Sequence, residues 1–137
     1  MDPAPSHLAL GRFLETEDGG SLLALVRRAL NILKIEEKRD AKNFDGKPSA
    51  KLLKQKEEKM FNTAIKAVGK EVAGALAAEN FEEAMAALAK LRTPVDSFFD
   101  KVTVNADKPD IRDNRLVLLA QIRELTLQIA DFSKIEG

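Results

Sequence analysis

The sequence predicts an all-α helical bundle, and three observations carry that prediction. Apolar residues recur at intervals of three and four, no run alternates with a period of two, and seven Phe with neither Trp nor Tyr leave aliphatic residues and Ala to fill the core. At 137 residues, 45% of them hydrophobic and 32% charged, the chain is the size of one domain and able to bury a real core.

Residues 1–20 read as a leader, partly ordered or artificial, because Pro3 and Pro5 interrupt its start and Thr16-Glu17-Asp18-Gly19-Gly20 closes it. Ser21 is a candidate N-cap for a helix through Leu22, Leu25, Val26, Ala29, Leu30 and Leu33, ending near residue 40. Residues 21–137 then form the folded domain. Asn43 to Ser49 gathers Asn, Asp, Gly and Pro and reads as a loop. From about Lys56 a helix carries Met60, Phe61, Ala64, Ile65, Val68 and Val72 on one face, with Gly69 and Gly74 as weak points or close-packing sites. Asn80-Phe81-Glu82-Glu83 has capping-box spacing and opens a short helix through Ala84, Met85, Leu88 and Leu91. Thr93 is then an N-cap, with Pro94 at the first helical position ahead of Val95, Phe98, Phe99 and Val102. Val104 to Asp110 is a loop. The last helix shows the cleanest stripe, Ile111, Arg115, Leu118, Ile122, Leu125, Ile129 and Phe132, widened by Leu116, Leu119 and Leu127 as in a helix buried on two sides.

Several function classes are excluded or unsupported. There are no cysteines, so disulfides and thiolate metal sites are out, and a reducing compartment is compatible. The single His7 lies in the leader and assembles no catalytic triad; no glycine-rich phosphate loop precedes a helix. Paired acids such as Glu36-Glu37, Glu57-Glu58 and Glu82-Glu83 point about 100° apart on a helix and do not converge on a metal or a proton. No signal peptide and no apolar stretch of roughly 20 residues is present, which leads to the expectation of a soluble cytoplasmic protein with no membrane partner.

The net charge is zero but unevenly placed: −3 over residues 1–26, +5 over 27–59 and −2 over 60–137. A local basic excess meets phosphate even on a neutral protein. The bland alternative is a solvated helix face whose cations are interleaved with Glu36, Glu37 and Asp40.

The run Leu91-Arg92-Thr93-Pro94-Val95-Asp96-Ser97-Phe98-Phe99-Asp100, with Val102, Val104-Asn105-Ala106 and Asn114-Arg115-Leu116 after it, resembles the carboxyl-terminal, DALR-like anticodon-binding domain of bacterial glycyl-tRNA synthetase beta subunits. Phe13-Leu14-Glu15-Thr16-Glu17-Asp18-Gly19, Arg27-Arg28-Ala29, Asn31-Ile32-Leu33 and Glu36-Glu37-Lys38 resemble its opening helix, and Ile129 to Gly137 resembles its ending. Related helical domains occur in arginyl- and cysteinyl-tRNA synthetases; the Pro94 to Asp100 string favours the glycyl beta subunit. The resemblance implies the last part of a longer beta subunit, with no cofactor of its own. Its partners are glycine tRNA, the remainder of beta and an alpha subunit that carries the ATP- and magnesium-dependent attachment of glycine. DNA is not an implied partner.

Glycine codons begin GG, so the implied tRNA presents two anticodon cytosines, each readable through an N4 donor and O2 and N3 acceptors. With that target, Arg27, Arg28, Asn31, Lys34, Lys38, Arg39 and Lys42 are candidate RNA donors, and Glu36, Glu37, Asp40 and Asp45 are possible acceptors. Phe44 stacks on a base or folds back onto the core, the common fate of Phe. Arg28 and Asn31 have a structural alternative, tying their helix to a neighbour; Arg92, Asn105, Asn114 and Arg115 are expected to stabilise the turn before the last helix. The competing reading, from another class, is a helical subunit-assembly module that touches protein rather than RNA.

Overall fold

A computed structural model describes the backbone of residues 6–136 and the side chains of residues 8–131. His7 and Phe132, named above, have side chains outside that range. Among the described residues six α-helices make up the fold: α1 Ser6–Glu15, α2 Glu17–Asp40, α3 Lys56–Ala77, α4 Phe81–Ala89, α5 Arg92–Lys101 and α6 Pro109–Glu136, with a short 3-10 turn at Ala50–Leu52. It is all-α, with no strand among the described residues. Among the described residues no helix is long and apolar enough to cross a membrane.

The expectation of a weakly ordered leader and a helix capped by Ser21 is corrected. Ser6–Glu15 is helical, and Thr16 is the N-cap of α2: its hydroxyl accepts from Gly19 N–H at 3.0 Å and donates to the Phe13 carbonyl at 2.6 Å. Of the Gly-Gly pair, Gly19 serves close approach and neither glycine breaks the helix. A Cβ on Gly19 would run into the Phe13 backbone, so α1 folds back against α2 only because that position has none.

Asn80 caps α4 as its spacing predicts, accepting from Glu83 N–H at 3.1 Å. Thr93 does not cap α5. The helix begins at Arg92 after a two-residue link, Leu91 is buried at the cap position, and Pro94 is the third residue of the first turn, where its missing N–H costs no helical bond. Arg92 pairs with Asp18 at 2.6 Å instead of serving the turn before α6.

The core lies where α3 meets α4, α5 and α6, with α2 closing the opposite side of α6. Phe98, Phe99, Leu118, Ile122, Leu125 and Ile129 are all buried. Phe98 is fully enclosed, its ring 5.0 Å from that of Phe61 and 5.6 Å, edge-on, from that of Phe99. Two apolar assignments were too wide: Met60 and Leu127 are about half exposed, because Met60 lies one position, about 100°, from the inward Phe61, and Leu127 lies two positions, about 200°, from both Leu125 and Ile129, on the far side of the helix from the buried row.

Phe98→Ala should destabilise the domain by about 3–5 kcal/mol, read as a lowered urea midpoint; an unchanged midpoint rejects the packing described here. Gly19→Ala, a far smaller chemical change, should still cost about 1–3 kcal/mol in the same assay, because the added methyl meets backbone rather than a side chain that moves aside.

Candidate nucleic-acid interface

The 24-residue helix α2 sorts its charges by face. Arg27, Arg28, Asn31, Lys34, Lys38, Arg39 and, just past the helix, Lys42 are all exposed. At about 100° per residue, Arg27, Asn31, Lys34 and Lys38 fall within an arc of about 60° and span about 16 Å along the axis. Within the described residues the side chains of these four make no hydrogen bond or ion pair. The other three are engaged. Arg28 lays its guanidinium 4.5 Å over the Phe99 ring, Arg39 stands 3.6 Å from Glu36, and Lys42 pairs with Asp113 at 3.2 Å.

The acids of the same segment point the other way, which corrects the expectation that they offer acceptors to a base. Arg112 on α6 bonds Glu36 at 2.6 Å and Asp40 at 2.7 Å. Arg123 grips Glu37 with two parallel bonds of 2.7 and 2.9 Å and reaches Asp45 at 3.3 Å. Glu37 also accepts from the Phe44 N–H at 2.9 Å. These bonds hold both glutamates below the ordinary carboxylate range, Glu36 chiefly through Arg112 and Glu37 chiefly through Arg123, and raise both arginines in return.

Phe44 takes the core alternative. It is 3% exposed, with Lys42 Nζ and Arg112 Cζ at 5.1 and 5.7 Å from the ring centre, so it is not presented to a base. Asn31 faces solvent and ties no helix, whereas Arg28 does tie α2 to α5 through Phe99. Asn114 reaches back to the loop before α3, accepting from Ser49 N–H at 2.6 Å and donating to its carbonyl at 3.1 Å. Arg115 does hold the turn before α6, bonding the Thr103 carbonyl at 2.6 Å.

Arg112 and Arg123, which organise this face, were not among the residues singled out. Their one sequence signal is an eleven-residue separation, three helical turns, which puts both on the same side of α6. Among the described residues no cluster of three or more His, Cys, Asp or Glu is placed to hold a metal ion.

Residues 22–132 match the family described as the DALR anticodon binding domain. The chain is similar to the glycine–tRNA ligase beta subunits of Rhodospirillum centenum, 51% identical over 94% of this chain and 18% of that protein, and Phenylobacterium zucineum, 48% identical over 93% and 19%. The beta subunit of Ruegeria sp. is 42% identical over 94% of the chain and 19% of its own length. The chain therefore spans about a fifth of the relatives it matches.

The Arg123–Glu37 clamp gives the domain an acid limb. A carboxyl held below its unfolded value of 4.5 contributes stability that is complete above that value and is lost as pH falls through the depressed one. Urea unfolding from pH 7 to pH 2.5 should show stability declining below about pH 4.5. Glu37→Gln should cost about 2 kcal/mol at neutral pH and flatten that decline. Parallel curves for the two proteins rule the clamp out as its source.

Proposed function

The chain belongs to the DALR anticodon binding domain family, and on that premise we propose that it binds the anticodon arm of a glycine tRNA as part of a glycyl-tRNA synthetase beta subunit. Its role is to hold the arm so that the distant acceptor end meets the site where glycine is attached, a contribution of positioning and selection rather than bond chemistry. In this reading the alpha subunit supplies the ATP- and magnesium-dependent chemistry, the remainder of beta connects the two sites, and the assembly works in the cytoplasm.

The observation that carries the proposal is the partition of charge on α2. With Glu36, Glu37, Asp40 and Asp45 all turned to arginines, the outer face keeps Arg27, Lys34 and Lys38 unpaired in one row. Such a row suits consecutive phosphates. The assembly reading has its own support where Leu10 and Phe13 of α1, Leu23 and Val26 of α2 and Ile129 of α6 line an apolar cavity of about 180 Å³. There we place contact with the rest of the synthetase, a reading compatible with RNA on the cation row.

Titration with glycine tRNA across a salt series tests the RNA face. Changing Arg27, Lys34 or Lys38 singly to Ala should weaken glycine tRNA and unrelated tRNA alike and lower the salt slope by about one phosphate contact each. A triple variant that keeps full affinity and slope removes α2 as the binding face.

A further inference from the structure

Beside the cation row runs a groove of about 430 Å³, walled on one side by Arg28, Ile32 and Ile35 of α2 and on the other by Phe99 and the Thr103 to Asn105 connection leading into α6. We infer that this groove seats one unstacked cytosine of the anticodon loop, with Asn105 as the residue that distinguishes it from uracil. The inference rests on the RNA reading above and adds to it a place and a specificity residue.

Position comes first. Arg28 and Ile35 are seven residues apart, two helical turns, so they share a face and bracket the groove over about 10 Å. That face adjoins the row of Arg27, Lys34 and Lys38, so a strand whose phosphates follow the row carries its bases across the groove mouth. The walls suit a base. Arg28 stands over Phe99 at 4.5 Å, side chain exposed and able to contact a base by cation–π attraction, while Ile35, 58% exposed amid cations, offers an apolar edge. The volume falls within the roughly 300–1,000 Å³ common for small-ligand sites.

Discrimination follows from how Asn105 is pinned. Its Nδ2 donates to Glu36 Oε1 at 3.3 Å, and its Oδ1 accepts from Arg112 Nε at 3.2 Å. A carboxylate only accepts and a guanidinium only donates, so the amide has one favourable orientation. It retains one N–H and one oxygen lone pair. Next to it, the backbone N–H groups of Thr103, Val104 and Asn105 have no acceptor among the described residues. The connection itself is fixed, since Arg115 holds the Thr103 carbonyl and Ala106 N–H bonds that of Val104 at 2.8 Å. Cytosine brings an N4 donor to the amide oxygen and N3 and O2 acceptors to the donors. Uracil reverses donor and acceptor at positions 4 and 3, and the pinned amide cannot turn over to follow.

The test uses anticodon-arm RNA hairpins carrying both cytosines, or uridine in place of either, titrated against the wild-type chain, Ile35→Trp and Asn105→Ala. Ile35 is exposed, so the Trp variant fills the groove without touching the core; circular dichroism checks that Asn105→Ala still folds. The wild type should favour cytosine at one position by about tenfold, the size of one good bidentate base contact. Both variants should bring that ratio to near one while the salt slope stays as in the wild type. Retention of the wild-type preference in both variants overturns the groove as the seat and leaves RNA binding by α2 standing. If the wild-type chain binds no hairpin, or binds without salt dependence, the RNA reading fails and this inference fails with it.

Discussion

The buried pair of Glu58 and Arg115 is the constraint on which the arrangement of helices turns. Glu58 is fully enclosed, and one of its oxygens accepts from Arg115 at 2.9 Å and from the backbone N–H groups of Gln55 and Lys54 at 3.0 and 3.2 Å. The other Glu58 oxygen and Arg115 Nε are buried without a hydrogen-bond partner among the described residues, so this pair stands on the few bonds it has and breaking any of them leaves a buried charge uncompensated. The first turn of α3, the second turn of α6 and the Thr103 carbonyl must therefore arrive together, and the connection that walls the groove inherits its place from that requirement.

A second set of pairs does for α2 what the buried pair does for α3. Arg112 and Arg123 draw every acid between Glu36 and Asp45 towards α6, which fastens the two longest helices and strips the outer face of α2 of anions. The same contacts thus stabilise the fold and create the basic surface. Asn105 stands at the junction, bonded to Glu36 on one side and Arg112 on the other, so the geometry of the groove depends on the clamp that makes its neighbour basic.

Periodicity made much of this visible in the sequence. The α6 stripe, the Asn80 cap and the enclosed Phe98 follow from spacing alone, because a helix repeats its environment every three or four residues. Exposure of the α2 cations was legible for the same reason. What spacing did not reveal was which acids and arginines meet: the partners of Glu36 and Glu37 lie 76 and 86 residues away, and such pairs leave no local signature. Gly19 and Pro94 misled for a different reason. Both are residues that usually punctuate a chain, and here one permits a close approach between helices while the other sits harmlessly in a first turn.

The sorting of charge across α2 also gives a neutral molecule an electrical direction. With no net charge at pH 7, the protein exerts little pull on a polyanion from afar. Positive charge displaced to one face and negative charge held inward form a dipole, whose field turns a body more than it draws it. An approaching polyanion is met by a torque that presents α2 before contact, effective over about the 8 Å screening length of physiological salt. Orientation of this kind sets which face arrives first rather than how strongly the molecule is drawn.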